Sequence, residues 1–174
     1  MTGAEFDPTA ILEALDGRHV NYALVGGYAA NLHGAARPTR DIDVAPATDA
    51  DNLTRLVAAL RDLHAGIRVD ELADGLPSDT NAEALRGVKM LNLRTIHGDL
   101  DLTFAPDGFP AGYDDLVRHA SQRHVGGMTI RVAALADIIV SRTQADRQKD
   151  LLALPELRKL AADASRESGK SDQS

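Results

Sequence analysis

Residues 24–44 read LVGGYAANLHGAARPTRDIDV, and the fold turns on how this stretch is interpreted. The run VNYALVG, residues 20–26, is rich in strand formers and stops at a Gly26-Gly27 pair. Small residues then favour a short helix from Tyr28 to His33 that closes at Gly34. After the loop AARPT, the run RDIDVAP alternates apolar and acidic residues. A strand here puts Ile42 and Val44 on one face and Asp41 and Asp43 on the other. Such a strand buries one side and offers two carboxylates on the opposite one.

Upstream, Asp7-Pro8 ahead of AILEAL supplies an N-cap, a proline at the first helical position and an apolar stripe, predicting a helix that ends at Gly17. Downstream, Leu53, Leu56, Val57 and Leu60 fall three and four apart, so residues 49–64 are predicted to form a helix packed on the sheet. Residues 66–82, GIRVDELADGLPSDTNA, mix acids with turn formers and are expected to be mainly loop. VKMLNLRT (88–95) and DLDLTFA (99–105) read as hairpin strands across Ile96-His97-Gly98, with Asp99 and Asp101 sharing a face. GYDDLVRHA suggests a helix, GGMTIRV a last short strand, and residues 134–160 one or two closing helices, with Pro155 at the start of a last turn. The expected class is α/β (α+β): a mixed sheet of about five strands with helices packed mainly on one side. A single domain is expected over residues 1–160, followed by a polar, disordered tail over 161–174.

At 174 residues and 44% hydrophobic, the chain is long enough for one real core. It has no cysteine, which excludes a disulfide or Cys-based zinc framework. The start, MTGAEFDPTA, carries acids where a signal peptide carries basic residues, and no apolar run approaches the ~18 to 20 residues of a membrane span, so a cytoplasmic protein is expected. The net charge of −7 is unevenly spread: −10 over residues 1–116, +4 over 117–160 and −1 beyond. The basic third suits phosphate contacts with RNA better than base stacking, since aromatic residues make up only 3% of the chain. A solvated helical face would carry the same charge.

Two carboxylates at i and i+2 of a strand project together, close enough to share a hard divalent cation such as Mg²⁺, which takes one or two carboxylates, waters and substrate phosphate oxygens. A third acid on a neighbouring strand, Asp101 or else Asp99, would complete a clamp for two ions suited to in-line displacement at phosphorus. Glycines at a strand-to-helix turn let backbone N–H groups approach phosphate. A glycine pair alone is most often only a turn, and a lone Asp-x-Asp is often solvated acid. Their order and spacing together favour a nucleotide triphosphate site. His33, His97, His119 and His124 are scattered, with no HExxH-like spacing, so no zinc site is expected.

The run GGYAANLHGAARPTRDIDV resembles the signature of nucleotidyltransferases of the DNA polymerase β-like superfamily, most closely the AbiEii-type and MenT-like toxin branch. Gly98-Asp99-Leu100-Asp101 is similar to that branch's later acidic strand. Ser141-Arg142 with Arg147-Gln148-Lys149-Asp150-Leu151 is similar to its closing helix region, and the likeness spans residues 20–155. The resemblance implies that Gly26 and Gly27 cradle the triphosphate and that Asp41, Asp43 and Asp101 hold two Mg²⁺ ions, Asp101 also helping to deprotonate the acceptor. It implies nucleotide contacts from Arg37, Arg40, Arg142, Lys149 and Asp150. Arg40 is equally suited to a surface ion pair, and Arg142 stands where many relatives have lysine. The function implied is transfer of a nucleoside monophosphate from an NTP to a hydroxyl, with release of pyrophosphate. The implied acceptor is the 3′ end of tRNA, and the protein a toxin with a cognate antitoxin and no membrane partner. Antibiotic nucleotidyltransferases and protein AMP-transferases share these motifs, and a catalytically silent binding module is the reading from outside enzymology.

Overall fold

The computed structural model describes residues 4–70, 72–76 and 80–171. Helix α1 (Pro8–Gly17) begins where the Asp7 carboxylate accepts from the Ala10 N–H at 3.0 Å, and it buries Ile11, Leu12 and Leu15. Strand β1 (Tyr22–Val25) runs directly into α2 (Gly26–Leu32), and β2 (Asp41–Pro46) follows the loop. Helix α3 (Ala50–Asp62), capped by Asp49, buries the predicted Leu53, Leu56, Val57 and Leu60.

Then come β3 (Gly66–Val69), β4 (Leu72–Leu76), the short α4 (Ala82–Leu85), β5 (Met90–Thr95) and β6 (Gly98–Thr103). The chain closes with α5 (Tyr113–Leu116), β7 (Ser121–Val125), β8 (Met128–Val132), α6 (Leu135–Ala145) and α7 (Gln148–Ser171). Among the described residues no helix is long and apolar enough to cross a membrane.

The sheet has eight strands in the order β4-β3-β5-β6-β2-β1-β8-β7, rather than about five. The pairs β2–β6 and β1–β8 are parallel and the others antiparallel. The five strands legible in the sequence form the contiguous centre, and the three additional ones lie at the margins. Marginal strands are paired and buried less completely, so their apolar alternation is weak. In β7, Ser-Gln-Arg-His-Val, four of five residues are exposed. The segment 66–82, expected to be mainly loop, supplies both β3 and β4.

Helices occupy both faces, not mainly one. Helices α1 and α3 pack on each other and on the Ile42–Val44 face, while α2, α6 and α7 gather around the acidic face near β1 and β2. The acidic face over β5 stays open, and Met90 and Asn92 are exposed there. Pro155 lies inside α7 rather than at the start of a last turn. The segment 161–171, expected to be disordered, continues α7. Alanines 161, 162 and 164 favour helix, and Ser165 and Ser168 bond back to Ala161 and Ala164 carbonyls at 3.0 and 3.1 Å. Residues 172–174 lie outside the described residues.

One buried polar side chain ties these layers together. Asn52 is fully buried. Its Nδ2 donates to the carbonyls of Asn21 (2.9 Å) and Ala47 (2.7 Å), and its Oδ1 accepts from the Asn21 N–H at 2.7 Å. It therefore fixes the entry of β1 against the exit of β2, the two strands that lead into and out of the acidic turn. Asn52→Leu orphans these backbone groups and should lower unfolding free energy by about 2 to 4 kcal/mol in urea titrations. A loss below about 0.5 kcal/mol would remove this tie from the account.

Candidate active site

Strand register assembles the acids. In the parallel β2–β6 ladder Asp43 stands opposite Asp101 and Asp41 opposite Asp99, so all four carboxylates emerge on one face. Carboxylate oxygens of Asp41, Asp43 and Asp101 lie within 4.8 Å of one another, the one group among the described residues with metal-ligand geometry. Asp99 is drawn away from them. It pairs with Arg94 Nε at 3.1 Å and with Arg68 Nη1 at 3.3 Å.

The glycine pair acts on the acids through close packing. Gly26 opens α2 at φ +69°, a conformation disfavoured for side-chain-bearing residues, and a Cβ there would overlap the Asp43 carboxylate. A Cβ on Gly27 would sit 3.0 Å from Thr39 Oγ1, whose hydroxyl donates to Asp41 Oδ1 at 2.8 Å. The strand-to-helix turn thus lies against Asp43 directly and against Asp41 through Thr39.

Burial, with like charge crowded beside it, governs the electrostatics. Burial, then the charges of Asp41 and Asp101, push Asp43 up to about 7, against the pull of Arg142 and Lys149. Burial also raises Asp101, to about 6, with Asp41 and Asp99 adding to the effect and Arg68 opposing it. Oδ1 of Asp101 is buried without a hydrogen bond. Three converging hard oxygens within 4.8 Å of one another, Asp101 Oδ1 buried among them, fit a hard divalent ion.

The cleft over this face encloses about 670 Å³. Gly26, Gly27, Arg37, Arg40, Asp41, Asp43, Asp101, Arg142, Lys149 and Asp150 all line it, so every candidate residue converges there. Their roles differ. Arg37 and Arg40 are exposed on the loop before β2, and neither joins an ion pair among the described residues. Asp150 is only 2% exposed, and both its oxygens are engaged, by Arg142 Nη1 at 3.3 Å and Arg147 Nε at 2.7 Å. Its carboxylate holds two arginines at the cleft wall. Arg68, Lys89 and Asn92 also line the cleft, though sequence reasoning did not single them out. Alternation in Gly-Ile-Arg-Val would have placed Arg68 on the acidic face had residues 66–69 been read as strand. The histidines stay apart: His33 Nε2 meets the Ala133 carbonyl at 2.8 Å, and His119 Nδ1 meets Asp137 Oδ2 at 3.2 Å.

The model of the AbiEii family, the nucleotidyl transferase toxin of a type IV toxin–antitoxin system, matches residues 10–159. The chain belongs to this family and is a nucleotidyltransferase of the AbiEii toxin type. Among solved structures it is similar to the lincomycin-bound lincosamide antibiotic adenylyltransferase LnuA, with 18% identity, coverage of 90% of this chain and 99% of that one, and a TM-score of 0.59. ANT(2″)-Ia in complex with adenylyl-2″-tobramycin matches at 18% identity over 90% of this chain and 94% of that one, with a TM-score of 0.49. At such identities the likeness is one of fold. No curated protein matches the chain.

The raised acids make metal-free stability depend on pH. A carboxyl whose folded pKa stands near 7, against the ordinary 3.8, binds its proton more tightly in the native state. Its stabilising contribution is complete below the unfolded value and is lost as pH rises through the folded one. In chelator, the melting temperature should therefore fall between about pH 4 and pH 7. Asp43→Asn should flatten that fall. An unchanged pH profile in the variant would show that Asp43 is not the group under strain.

Proposed function

We propose that this nucleotidyltransferase moves a nucleoside monophosphate from an NTP to the terminal hydroxyl of an RNA, most specifically the 3′ end of tRNA. The acceptor oxygen attacks the α-phosphorus, the bond to the bridging oxygen breaks, pyrophosphate leaves, and the hydroxyl proton passes to a carboxylate. The observation that carries the reading is the convergence of Asp41, Asp43 and Asp101 beside a glycine turn and opposite Arg142 and Lys149.

Asp41, Asp43 and Asp101 would hold divalent ions, two Mg²⁺ by the number of carboxylates. Bound there, they would neutralise phosphate charge and lower the pKa of the attacking hydroxyl. By the resemblance, Asp101 would also help to take the proton from the acceptor hydroxyl. Gly26 and Gly27 give the turn no side chains of its own, so Asp43 and Thr39 pack against it at the cleft where a triphosphate would lie. Arg142, braced by Asp150, and Lys149 face the same space and balance phosphate charge. Arg37 and Arg40 line the cleft and join no ion pair among the described residues.

The RNA acceptor is supported by cations that the acidic triad does not consume. Arg118, Arg123 and Arg131 are exposed, and residues 116–136 contain no acid. They stand outside the cleft lining, Arg123 and Arg131 on the β7–β8 hairpin and Arg118 just before it, whereas Arg147 lies within the lining. His119, bonded to the cleft residue Asp137, marks where the two meet. An NTP- and tRNA-dependent toxin restrained by a cognate antitoxin belongs in the cytoplasm.

Incubation with each α-labelled NTP and Mg²⁺ over total RNA, proteins and aminoglycoside or lincosamide antibiotics tests the reading. Label should enter RNA, and label confined to protein or antibiotic would replace the RNA acceptor. Alanine at Asp41, Asp43 or Asp101 should lower transfer by roughly a thousandfold or more, with melting temperature kept or raised, since each removes a repelling carboxylate. Asp99→Ala should cost little. Neutralising two of Arg118, Arg123 and Arg131 should raise KM for RNA and flatten the salt dependence of RNA binding by roughly 1 to 2 units of log–log slope, leaving KM for NTP unchanged. Unaltered RNA affinity and slope would assign these arginines to an idle solvated surface.

A further inference from the structure

The acidic face has a cation of its own, supplied by a strand that sequence reasoning took for loop. Arg68 on β3 reaches across the open part of the sheet and places Nη1 at 3.1 Å from Asp101 Oδ1 and 3.3 Å from Asp99 Oδ2. The guanidinium is held in place. Its side chain is only 22% exposed, and the neighbouring Asp99 is also gripped by Arg94. The backbone contributes to this placement. Ile67 pairs with Leu76 and Val69 with Leu72, so three residues of β4 stand opposite the single Arg68. Gly75 takes φ +71° within that irregularity, and a Cβ on it would come 2.7 Å from the Ile67 carbonyl. Irregular ladders of this kind sharpen local twist and re-aim a side chain.

Arg68 Nη1 lies within ion-pair distance of Asp101 Oδ1, at 3.1 Å, and its charge favours the ionised carboxylate. The oxygen that would serve as the third metal ligand thus already faces a positive charge. A guanidinium does not deprotonate, so this charge is permanent. On the far side, Arg142 and Lys149 act on Asp43, leaving Arg68 as the cation that bears directly on Asp101.

We propose that Arg68 is a built-in competitor for divalent ion at the Asp101 side of the triad, stabilising the metal-free carboxylates and weakening ion binding there. This rests on the reading of the triad as a metal site and assigns a control on it. A divalent ion entering beside Asp101 meets a like charge already within contact distance of its ligand, so it binds more weakly than the donor set alone would allow. The Asp41–Asp43 side lies farther from Arg68 and is affected less. A triphosphate brings negative charge of its own, which offsets the guanidinium and gives it a second anion to face. Nucleotide and the ion beside Asp101 should therefore bind with mutual reinforcement that passes through Arg68.

The test uses Mn²⁺ alone as probe, with binding followed by calorimetry and by the paramagnetic resonance signal of free ion, on the full chain. Arg68→Gln should bind Mn²⁺ roughly tenfold more tightly than wild type in its weaker step. The same variant should melt lower than wild type in chelator and gain more from added Mn²⁺. Arg68→Lys, which keeps the charge, should stay near wild type. Arg68→Met repeats the measurement if the glutamine variant does not fold. Unchanged or weaker Mn²⁺ binding in the charge-removing variants, with wild type binding normally, overturns the role of Arg68 and leaves the metal site standing. Absence of Mn²⁺ binding in wild type and variants alike overturns the metal site and this inference together.

Discussion

Like-charge repulsion among Asp41, Asp43 and Asp101 is the constraint on which the rest of the site depends. Parallel pairing of β2 with β6 sets Asp43 beside Asp101, and the two-residue period of a strand adds Asp41 on the same face. Three carboxylate groups whose oxygens lie within 4.8 Å of one another do not all ionise cheaply, and burial together with this repulsion raises Asp43 and Asp101. The surroundings are arranged as compensation. Cations approach from both sides, Arg142 and Lys149 from the closing helices and Arg68 from the sheet margin. The glycine turn admits the Asp43 carboxylate without a steric rival. Such an arrangement costs stability in the metal-free protein, which the proposed divalent cation would offset.

Braced arginines recur around the cleft. Asp150 is almost completely buried and joins Arg142 to Arg147, so the closing helices α6 and α7 meet through an ion pair. Removing the carboxylate would leave two guanidinium groups to find new partners. Thr39 has a comparable place on the opposite wall, holding one oxygen of Asp41 while packing against Gly27. These residues shape the site through the groups they orient.

The sequence made the centre of the molecule legible and its margins much less so. Val-Gly-Gly and Asp-Ile-Asp declare themselves because their chemistry is local: a strand end, a positive φ at Gly26 and two acids on one face. The hairpin of β5 and β6 is local as well, and it carries Asp101. Register across β2 and β6 is not local, and nothing in the sequence tells which of Asp99 and Asp101 stands beside Asp43. Arg68 was hidden for a related reason. Its strand lies near the sheet margin, flanked by Asp70 and turn formers that mask it as a strand until its pairing with β5 is seen. Strand β7 is almost wholly exposed and so shows no apolar period. In α7, the polar composition beyond residue 160 concealed a run of alanines and serine back-bonds that extends the helix past the core.

The most direct measurement of the central claim is an anomalous-difference map from crystals grown with Mn²⁺ and a non-hydrolysable NTP. The account predicts manganese peaks among Asp41, Asp43 and Asp101, with the triphosphate running from the Gly26 turn towards Arg142 and Lys149. Manganese bound elsewhere, or a nucleotide seated away from this face with the three carboxylates left bare, would contradict it.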